Sequence, residues 1–315
     1  MLKLEDTMAQ FESAPHTAEA LSQSNNSTSQ FGERVKIVLA LLAVYIIWGS
    51  TYLGLRIGLE GFPPFLLLGI RFFIAGALLY GILRLQGHAA PTRPQWKGAT
   101  ILGLFLLIGG NGTVTIAEQW VSSGLAALVV ATMPLWVALF SGLLGRWPGW
   151  VEWLGLALGF VGIILLNFEG DMQSSPLGAL ILVGSAASWA FGTVWSRRLT
   201  LPEGMMASAA EMLTASPLLI IGGLLMGEQI TEMPGIRPIG ALVYLIVAAL
   251  IAFSAYNYLL QKVRPSVATS YAYVNPVVAV GLGIWLANEH IGLMGLIAMP
   301  IILSGVALVL FNRKG

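Results

Sequence analysis

The chain has 315 residues, of which 57% are apolar and only 10% are charged, whereas a soluble domain carries about 25% charged residues. The formal net charge of +1 gives no signature of a nucleic-acid partner, and the lack of cysteine excludes disulfides, thiol catalysis and thiolate metal sites. Residues 1–34 are polar and rich in Ser, Gln and Asn, so we expect them to form a disordered tail.

Beyond this tail, apolar segments follow one another with mostly short connections. Roughly 20 mostly apolar residues are needed for a helix to cross a bilayer, and an open strand in lipid would leave its backbone groups unpaired. The sequence therefore predicts an all-α integral membrane protein with ten transmembrane helices. The predicted spans cover residues 37–57, 64–84, 98–117, 121–144, 150–167, 177–196, 206–226, 239–260, 266–287 and 291–311.

The first span holds polar and aromatic residues in the stretch YIIWGSTYLGLRIG. Trp48, Tyr52 and Arg56 follow one another at intervals of four residues and share one helix face. Aromatic side chains on such a face suit an amphiphilic or aromatic substrate, whereas anchoring at the membrane interface is the alternative and the interpretation we favour for Arg56. The residues predicted to line a substrate cavity here are Trp48, Ser50, Thr51 and Tyr52.

The second and third spans add a charge and a polar face. Arg71 lies within the second span, and an ionisable residue inside a membrane helix is by default a functional candidate. Asn111, Thr115 and Glu118 share a face of the third span, where polar groups usually face protein or water. We predict Asn111 and Thr115 as cavity residues and Arg71 and Glu118 as coupling or gating residues, with hydrogen bonding between helices as the alternative.

The fourth and fifth spans contain a proline and a glycine motif. Pro134 frees the carbonyl four residues earlier and bends its helix, which predicts a hinge or, alternatively, a static kink. Gly155-x-x-x-Gly159 permits close approach of another helix, either inside the chain or in a dimer. We expect internal packing and therefore a monomer, with a dimer as the alternative.

The sixth and seventh spans repeat features of the first two. Trp189 and Thr193 stand four residues apart, as Trp48 and Tyr52 do, and are predicted to line the same cavity. Glu211 is the second charge within a span and could couple a proton if it is buried. It lies about 12 Å from Arg71 in depth by helix count, so a direct ion pair is not expected.

The eighth and ninth spans carry further polar residues. Asn257 and Tyr258 lie on a polar face of the eighth span. In the ninth span, Tyr273 and Asn275 precede Pro276 by three residues and by one residue, in the stretch ATSYAYVNPVVAV. We predict these four side chains as cavity residues and Pro276 as a second hinge.

The two halves of the chain resemble each other. A gapless shift of 142 positions lays residues 98–134 on 240–276, so that Pro134 meets Pro276. Spans one to five thus correspond to spans six to ten, and an odd number of spans per half inverts one half relative to the other. Secondary transporters have this architecture, with substrate bound near the midplane between the halves. The predicted repeats cover residues 35–168 and 176–312.

Basic residues near the span ends fall mostly on one side of the predicted membrane, and the positive-inside rule assigns that side to the cytoplasm. With both termini and the tail in the cytoplasm, this side holds Arg34, Lys36, Arg84, Arg93, Lys97, Arg146, Arg197, Arg198, Lys262, Arg264, Arg313 and Lys314. The outer side holds the acidic residues Glu60, Glu169, Asp171, Glu228, Glu232 and Glu289. We therefore expect a multi-pass protein of the cell inner (plasma) membrane.

Several stretches resemble the EamA-type branch of the drug/metabolite transporter superfamily. These stretches are YIIWGSTYLGLRIG, FPPFLLLGIRFFIAGALL, GLAALVVATMPLWVALF and ATSYAYVNPVVAV. The resemblance covers about residues 37–311 and is closest to bacterial inner-membrane exporters of amino acids and related metabolites. It implies ten helices in two inverted five-helix repeats around a central cavity, and it implies no fixed catalytic set.

The predicted function is secondary transport that exports small organic solutes, above all amino acids including aromatic and neutral ones, or related metabolites. A multidrug or cationic-compound exporter of the same superfamily is one alternative, and a channel-like or structural membrane protein is another. No constellation of nucleophiles, acids or metal ligands points to an enzyme, and we expect no metal and no cofactor. The expected partners are a small-molecule substrate, the lipid bilayer and a coupling proton, and not a nucleic acid.

Overall fold

The computed structural model describes residues 14–145, 147–166, 168, 175–263, 267 and 271–311. All regular structure within these ranges is helical. The first half comprises α1 (Ala14–Gly58), α2 (Pro64–Leu85), α3 (Arg93–Ala117), α4 (Ser123–Leu143) and α5 (Trp150–Leu166). The second half comprises α6 (Pro176–Trp195), α7 (Met205–Leu225), α8 (Ile236–Lys262), α9 (Tyr271–Ala287) and α10 (Leu293–Phe311).

The all-α prediction is confirmed, and every predicted span falls on one of these helices. In the described part of the chain, seven helices are long and apolar enough to cross a membrane. The three remaining helices contribute shorter apolar stretches, which are Trp150–Leu165, Val274–Ala287 and Leu293–Leu308. The number of membrane crossings and the side on which the termini lie stay predictions.

The first helix begins earlier than the sequence predicts. Residues 14–34, for which a disordered tail is expected, form the first turns of α1, whereas residues 1–13 lie outside the described part. Near the end of this polar extension, the Glu33 carboxylate pairs with the ammonium of Lys262 at 2.7 Å. This contact ties α1 to the last residue of α8, and the carboxylate raises the pKa of the exposed Lys262 ammonium.

Two helices of the first half are interrupted. The middle of α3 is π-helical over Leu104–Gly112, with α-helix on either side. Helix α4 breaks at a turn between Ser123–Val130 and Met133–Leu143. Pro134 lies at the start of the second piece, where its missing N–H cannot continue the hydrogen-bond ladder of the first.

The packing of the helices relates the two halves to each other. Helix α1 packs against α8 and α9, and its counterpart α6 packs against α3 and α4. The counterparts α2 and α7 pack against each other, as do α4 and α9, and α5 and α10. Exchanging every helix for the one five places further along leaves these pairs unchanged. The packing therefore has the pseudo-twofold relation that the sequence repeat predicts.

Close approach of α5 and α10 uses glycine on both helices. A Cβ atom at Gly305 would lie 2.6 Å from the backbone oxygen of Gly155 and 2.8 Å from the backbone nitrogen of Gly159. A Cβ atom at Gly159 would lie 1.9 Å from a methyl carbon of Leu135 on α4. The Gly155-x-x-x-Gly159 motif is thus used for packing inside the chain.

Loops of both halves meet at one end of the bundle. The guanidinium of Arg237 pairs with the Glu60 carboxylate at 3.4 Å, and the Glu228 carboxylate contacts the first turn of α2. We call this end, with the loops 59–63, 118–122, 226–235 and 288–292, the acidic end.

Candidate functional site

Two serines of α6 donate hydrogen bonds to backbone oxygens of the π-helical segment of α3. Ser185 donates to the backbone oxygen of Gly110 at 2.8 Å, and Ser188 donates to that of Phe105 at 2.9 Å. π-Helical segments are rare and occur frequently at functional sites. Sequence reasoning missed both serines, although their spacing of three residues on one helix face was an available signal.

Trp48 lies in an aromatic cluster that joins α1 to α8 and α9. Its ring centroid is 5.8 Å from that of Phe253, 5.1 Å from that of Tyr256 and 4.7 Å from that of Tyr271. Tyr256 and Tyr271 also meet edge to face. This predicted cavity residue therefore lies at an interface between the two halves, among aromatic partners that the sequence analysis did not assign to it.

Most of the predicted cavity hydroxyls bond to their own helix. Ser50, Thr51, Thr115 and Thr193 each donate to the backbone oxygen one turn earlier, at 2.6–2.9 Å. Ser50 also shares a hydrogen bond with the hydroxyl of Tyr244 on α8. The amide of Asn111 donates to the backbone oxygen of Leu106 at 3.3 Å, across a π-helical turn. These groups already have partners within the protein.

The remaining predicted cavity residues lie on α6, α8 and α9. The ring of Trp189 packs on Gly110 of α3, since a Cβ atom added to Gly110 would lie 2.7 Å from that ring. The side-chain amide of the buried Asn275, oriented with its nitrogen toward α1, donates to the backbone oxygens of Tyr45 and Tyr271, each at 3.2 Å. Tyr258 is half-buried on α8. The side chains of Asn257 and Tyr273 lie outside the described residues.

The two predicted hinge prolines have different surroundings. The break in α4 directly precedes Pro134, and the Thr132 hydroxyl at this break donates to the backbone oxygen of Val129 at 2.6 Å. Pro276 lies inside the continuous helix Tyr271–Ala287. A hinge role for either proline stays a prediction, and only α4 has a break at the expected position.

The three predicted coupling or gating residues do not lie together. Glu211 is partly exposed on α7, and no ion pair joins it to Arg71 among the described residues. Arg71 and Glu118 are buried, with exposed fractions of 5% and 0%. Their opposite charges interact through space, and Glu118 also interacts with the Tyr52 side chain. The structure thus brings together Tyr52, Arg71 and Glu118, a grouping that the sequence analysis did not predict.

Carboxylates at the acidic end cap helices of the first half. Glu289 accepts from the backbone nitrogen of Ser123 at 2.9 Å, from its hydroxyl at 3.0 Å, and from the backbone nitrogen of Gly124 at 3.2 Å. Glu228 accepts from the backbone nitrogens of Phe65 and Leu66 at 3.1 and 2.9 Å. Free N–H groups and the helix dipole favour a carboxylate at both positions. Each cap ties the loop after a second-half helix to the start of its first-half counterpart.

Arg56 also acts at this end rather than only at the membrane interface. Its guanidinium donates to the backbone oxygen of Glu118 and so joins the end of α1 to the loop after α3. A cavity of about 740 Å³ lies between the same loops. Its lining includes Glu60, Phe65, Ile116, Gln119, Glu228 and Glu232.

Comparison with known proteins identifies the family. The sequence profile of the EamA-like transporter family matches the chain twice, over residues 35–168 and 176–311. The chain belongs to this family. The inner membrane transporter YedA of Escherichia coli (strain K12) is 46% identical over 286 residues, which cover 90% of this chain and 94% of YedA. The transporter YvbV of Bacillus subtilis (strain 168) is 25% identical over 286 residues, which cover 89% of this chain and 93% of YvbV.

A solved crystal structure has the same fold, with a TM-score of 0.62 at 22% identity, and the match covers 88% of this chain and 99% of that chain. The predicted resemblance to EamA-type transporters is thereby confirmed, as are the general role of a transporter and the location as a multi-pass protein of the inner membrane.

Proposed function

We propose that this transporter exports small organic solutes, above all neutral or zwitterionic amino acids and related metabolites, by alternating access of two inverted halves. The observation that carries the proposal is the helix packing, whose main pairs are unchanged when each helix is exchanged for its counterpart. A pseudosymmetric packing of this kind allows two conformations that open to opposite sides and are related by exchange of the halves.

The interrupted helices support motion between such conformations. The turn in α4 and the π-helical segment of α3 both lie where the first half packs against α6. A broken hydrogen-bond ladder bends more readily than a continuous one, so these sites can absorb a change of helix direction. We infer that the halves rock about these interruptions, with the basic end of the bundle and both termini in the cytoplasm.

The charges and aromatic residues of the site support the choice of substrate. The cluster around Trp48 supplies flat apolar surfaces and tyrosine hydroxyls, which suit a partly apolar organic solute. Two buried side chains of opposite charge, Arg71 and Glu118, lie elsewhere in the described part of the protein. A balanced pair of charges favours a substrate without net charge over a purely cationic or anionic one.

The test is transport by purified protein in liposomes. Labelled alanine, leucine, phenylalanine and threonine are offered singly, with and without a pH gradient and with unlabelled amino acid trapped inside. We expect saturable uptake that internal substrate accelerates and, if a proton is coupled, a dependence on the gradient. Flux that rises linearly with concentration and shows no acceleration would instead indicate a channel.

An exporter of cationic compounds is the second candidate, because the Glu118 carboxylate is buried and could attract a cation. Quaternary ammonium dyes in the same liposomes distinguish the two. Movement of the dyes without movement of any amino acid would support this second candidate and contradict the first.

A further inference from the structure

The buried side chains of Arg71 and Glu118 both carry polar atoms without a hydrogen-bonding partner among the described residues. Arg71 is 5% exposed in α2, and Glu118 is 0% exposed in the turn after α3. The Nε and Nη1 atoms of Arg71 and both carboxylate oxygens of Glu118 have no hydrogen-bond partner among the described residues. An unpaired buried charge is strongly destabilising, so both groups are expected to acquire partners at some stage of the protein's function.

The two charges face the same region without touching. The two side chains carry opposite charges and attract each other. No guanidinium nitrogen of Arg71, however, lies within 4.0 Å of a carboxylate oxygen of Glu118. The other charged or titratable groups that act on Glu118 are Arg56 and Tyr52 of α1 and Glu289 beyond α9. On the other side, the Arg71 guanidinium lies 5.1 Å from the ring centroid of Phe72.

Other charged side chains at the acidic end already have partners, and in this respect they differ from Arg71 and Glu118. Arg237 binds Glu60, the helix starts of α2 and α4 bind Glu228 and Glu289, and Arg56 donates to a backbone oxygen. Arg71 and Glu118 have no equivalent contact in the described part of the chain. A cation and an anion are thus held apart, each with unused hydrogen-bonding capacity.

A cavity at the acidic end is lined by residues close in sequence to the pair. Ile116 and Gln119, on either side of Glu118 in the sequence, line the cavity of about 740 Å³, and so does Phe65 at the start of the helix that carries Arg71. This volume exceeds that of a single amino acid, and the cavity is bounded by loops of both halves. Motion of one half against the other would connect it to the buried pair.

We propose that Arg71 and Glu118 together recognise the two ends of a zwitterionic α-amino acid. The guanidinium binds the carboxylate of the solute, and the Glu118 carboxylate binds its ammonium group. Charge-assisted hydrogen bonds of this kind are the strong ones, and a solute carrying both charges satisfies both orphaned groups at once. This inference rests on the proposed function and names the residues that select the substrate class.

The test uses ligands that lack one charge at a time. Leucine and phenylalanine are compared with their methyl esters, which keep only the ammonium group, and with their N-acetyl derivatives, which keep only the carboxylate. Affinity is measured by titration calorimetry on the purified full chain. Wild-type protein is expected to bind each zwitterion roughly tenfold or more tightly than either derivative, because each charged hydrogen bond contributes that much.

The variants Arg71→Gln and Glu118→Gln are expected to give opposite patterns. Arg71→Gln is expected to weaken the binding of the zwitterion and of the N-acetyl derivative and to leave the affinity for the methyl ester unchanged. Glu118→Gln is expected to weaken the binding of the zwitterion and of the methyl ester and to leave the affinity for the N-acetyl derivative unchanged. The exposed residues provide matched controls, and Arg198→Gln and Glu203→Gln are expected to bind all three ligands as the wild type does.

A merely structural role gives a different result. The proposal is overturned if Arg71→Gln and Glu118→Gln both fail to bind any of the three ligands and the charge-retaining variants Arg71→Lys and Glu118→Asp do not restore the preference for the zwitterion. It is also overturned if amino acids are transported saturably and both neutral variants keep the wild-type preference, an outcome that leaves the proposed function standing. Failure of wild-type protein to bind or transport any amino acid would overturn both.

Discussion

Ser188 of α6 donates a hydrogen bond of 2.9 Å to the backbone oxygen of Phe105, inside the π-helical segment of α3. Ser185, one turn earlier, bonds the backbone oxygen of Gly110 in the same way. The widened turns of the π-helical segment are thus held from outside by hydroxyls of the other half. This contact links the irregular part of α3 directly to the interface across which the halves would move.

Replacing Ser185 by alanine is expected to destabilise the protein. The change removes the interhelical hydrogen bond to the Gly110 carbonyl, which keeps its bonds from the backbone N–H and the hydroxyl of Thr113, so the cost is about 0.6 kcal/mol. The measurement is the thermal unfolding midpoint of the purified protein in detergent. Thr193→Val is the control, because its exposed hydroxyl bonds only its own helix. Equal midpoints for Ser185→Ala and wild type would contradict a supporting role for the serine.

The helical architecture follows from the sequence to a large extent, because lipid leaves a spanning segment little choice but a helix. The pairing of the halves also follows, since the shift that superposes Pro134 on Pro276 fixes which helices correspond. The π-helical segment does not follow, because the three glycines of Leu104–Gly112 weaken an α-helix without specifying the wider turns of a π-helix. It depends on packing partners that are distant in the chain.

The candidate site was predictable only in part for the same reason. Trp48 and Tyr52 could be placed on an inward face by periodicity alone. The proximity of Arg71 to Glu118 depends on how far α2 and α3 are displaced along their axes, which no local pattern encodes. Sequence reasoning predicted Glu118 as a coupling or gating residue, but it compared Arg71 only with Glu211 on the counterpart helix and did not pair Arg71 with Glu118.

Removing the carboxylate cap of α4 is expected to loosen the acidic end. Asn288 adopts a left-handed φ of 52°, which turns the chain so that Glu289 reaches Ser123 and Gly124. Glu289→Ala removes the acceptor of two backbone N–H groups and should lower the free energy of unfolding by about 1–2 kcal/mol. Unfolding by a denaturing detergent measures this loss.

The control for this variant is Glu232→Ala, a change at an exposed residue of the same end. Its free energy of unfolding is expected to equal that of the wild type. A second variant, Gly283→Ala, places a Cβ atom 2.3 Å from the Glu289 carboxylate and should displace the cap without removing it. If neither Glu289→Ala nor Gly283→Ala lowers stability, the cap does not hold α4 in place.

Substitution of Gly305 is expected to separate α5 from α10. Its Cβ atom would meet backbone atoms of Gly155 and Gly159 at 2.6 and 2.8 Å, and backbone cannot move aside as a side chain can. Gly305→Ala should therefore lower stability by about 1–3 kcal/mol. At Gly184 of α6 no atom lies within 4 Å of an added Cβ, so Gly184→Ala should be neutral or stabilising by up to about 1 kcal/mol. Similar effects of the two changes would refute this account of the contact.

The break in α4 is expected to control the rate of transport. In Pro134→Ala the restored N–H can bond the carbonyl of Val130 and continue the helix through the turn, which stabilises the straight form by about 1 kcal/mol. A conformational cycle that needs the bend would then slow roughly fivefold, while substrate affinity changes little. The maximal rate and half-saturation concentration of amino-acid uptake in liposomes separate these effects. Pro300→Ala is the matched control, because Pro300 lies inside α10, whose described helix is continuous from Leu293 to Phe311. A wild-type rate in Pro134→Ala would show that the break is a static kink.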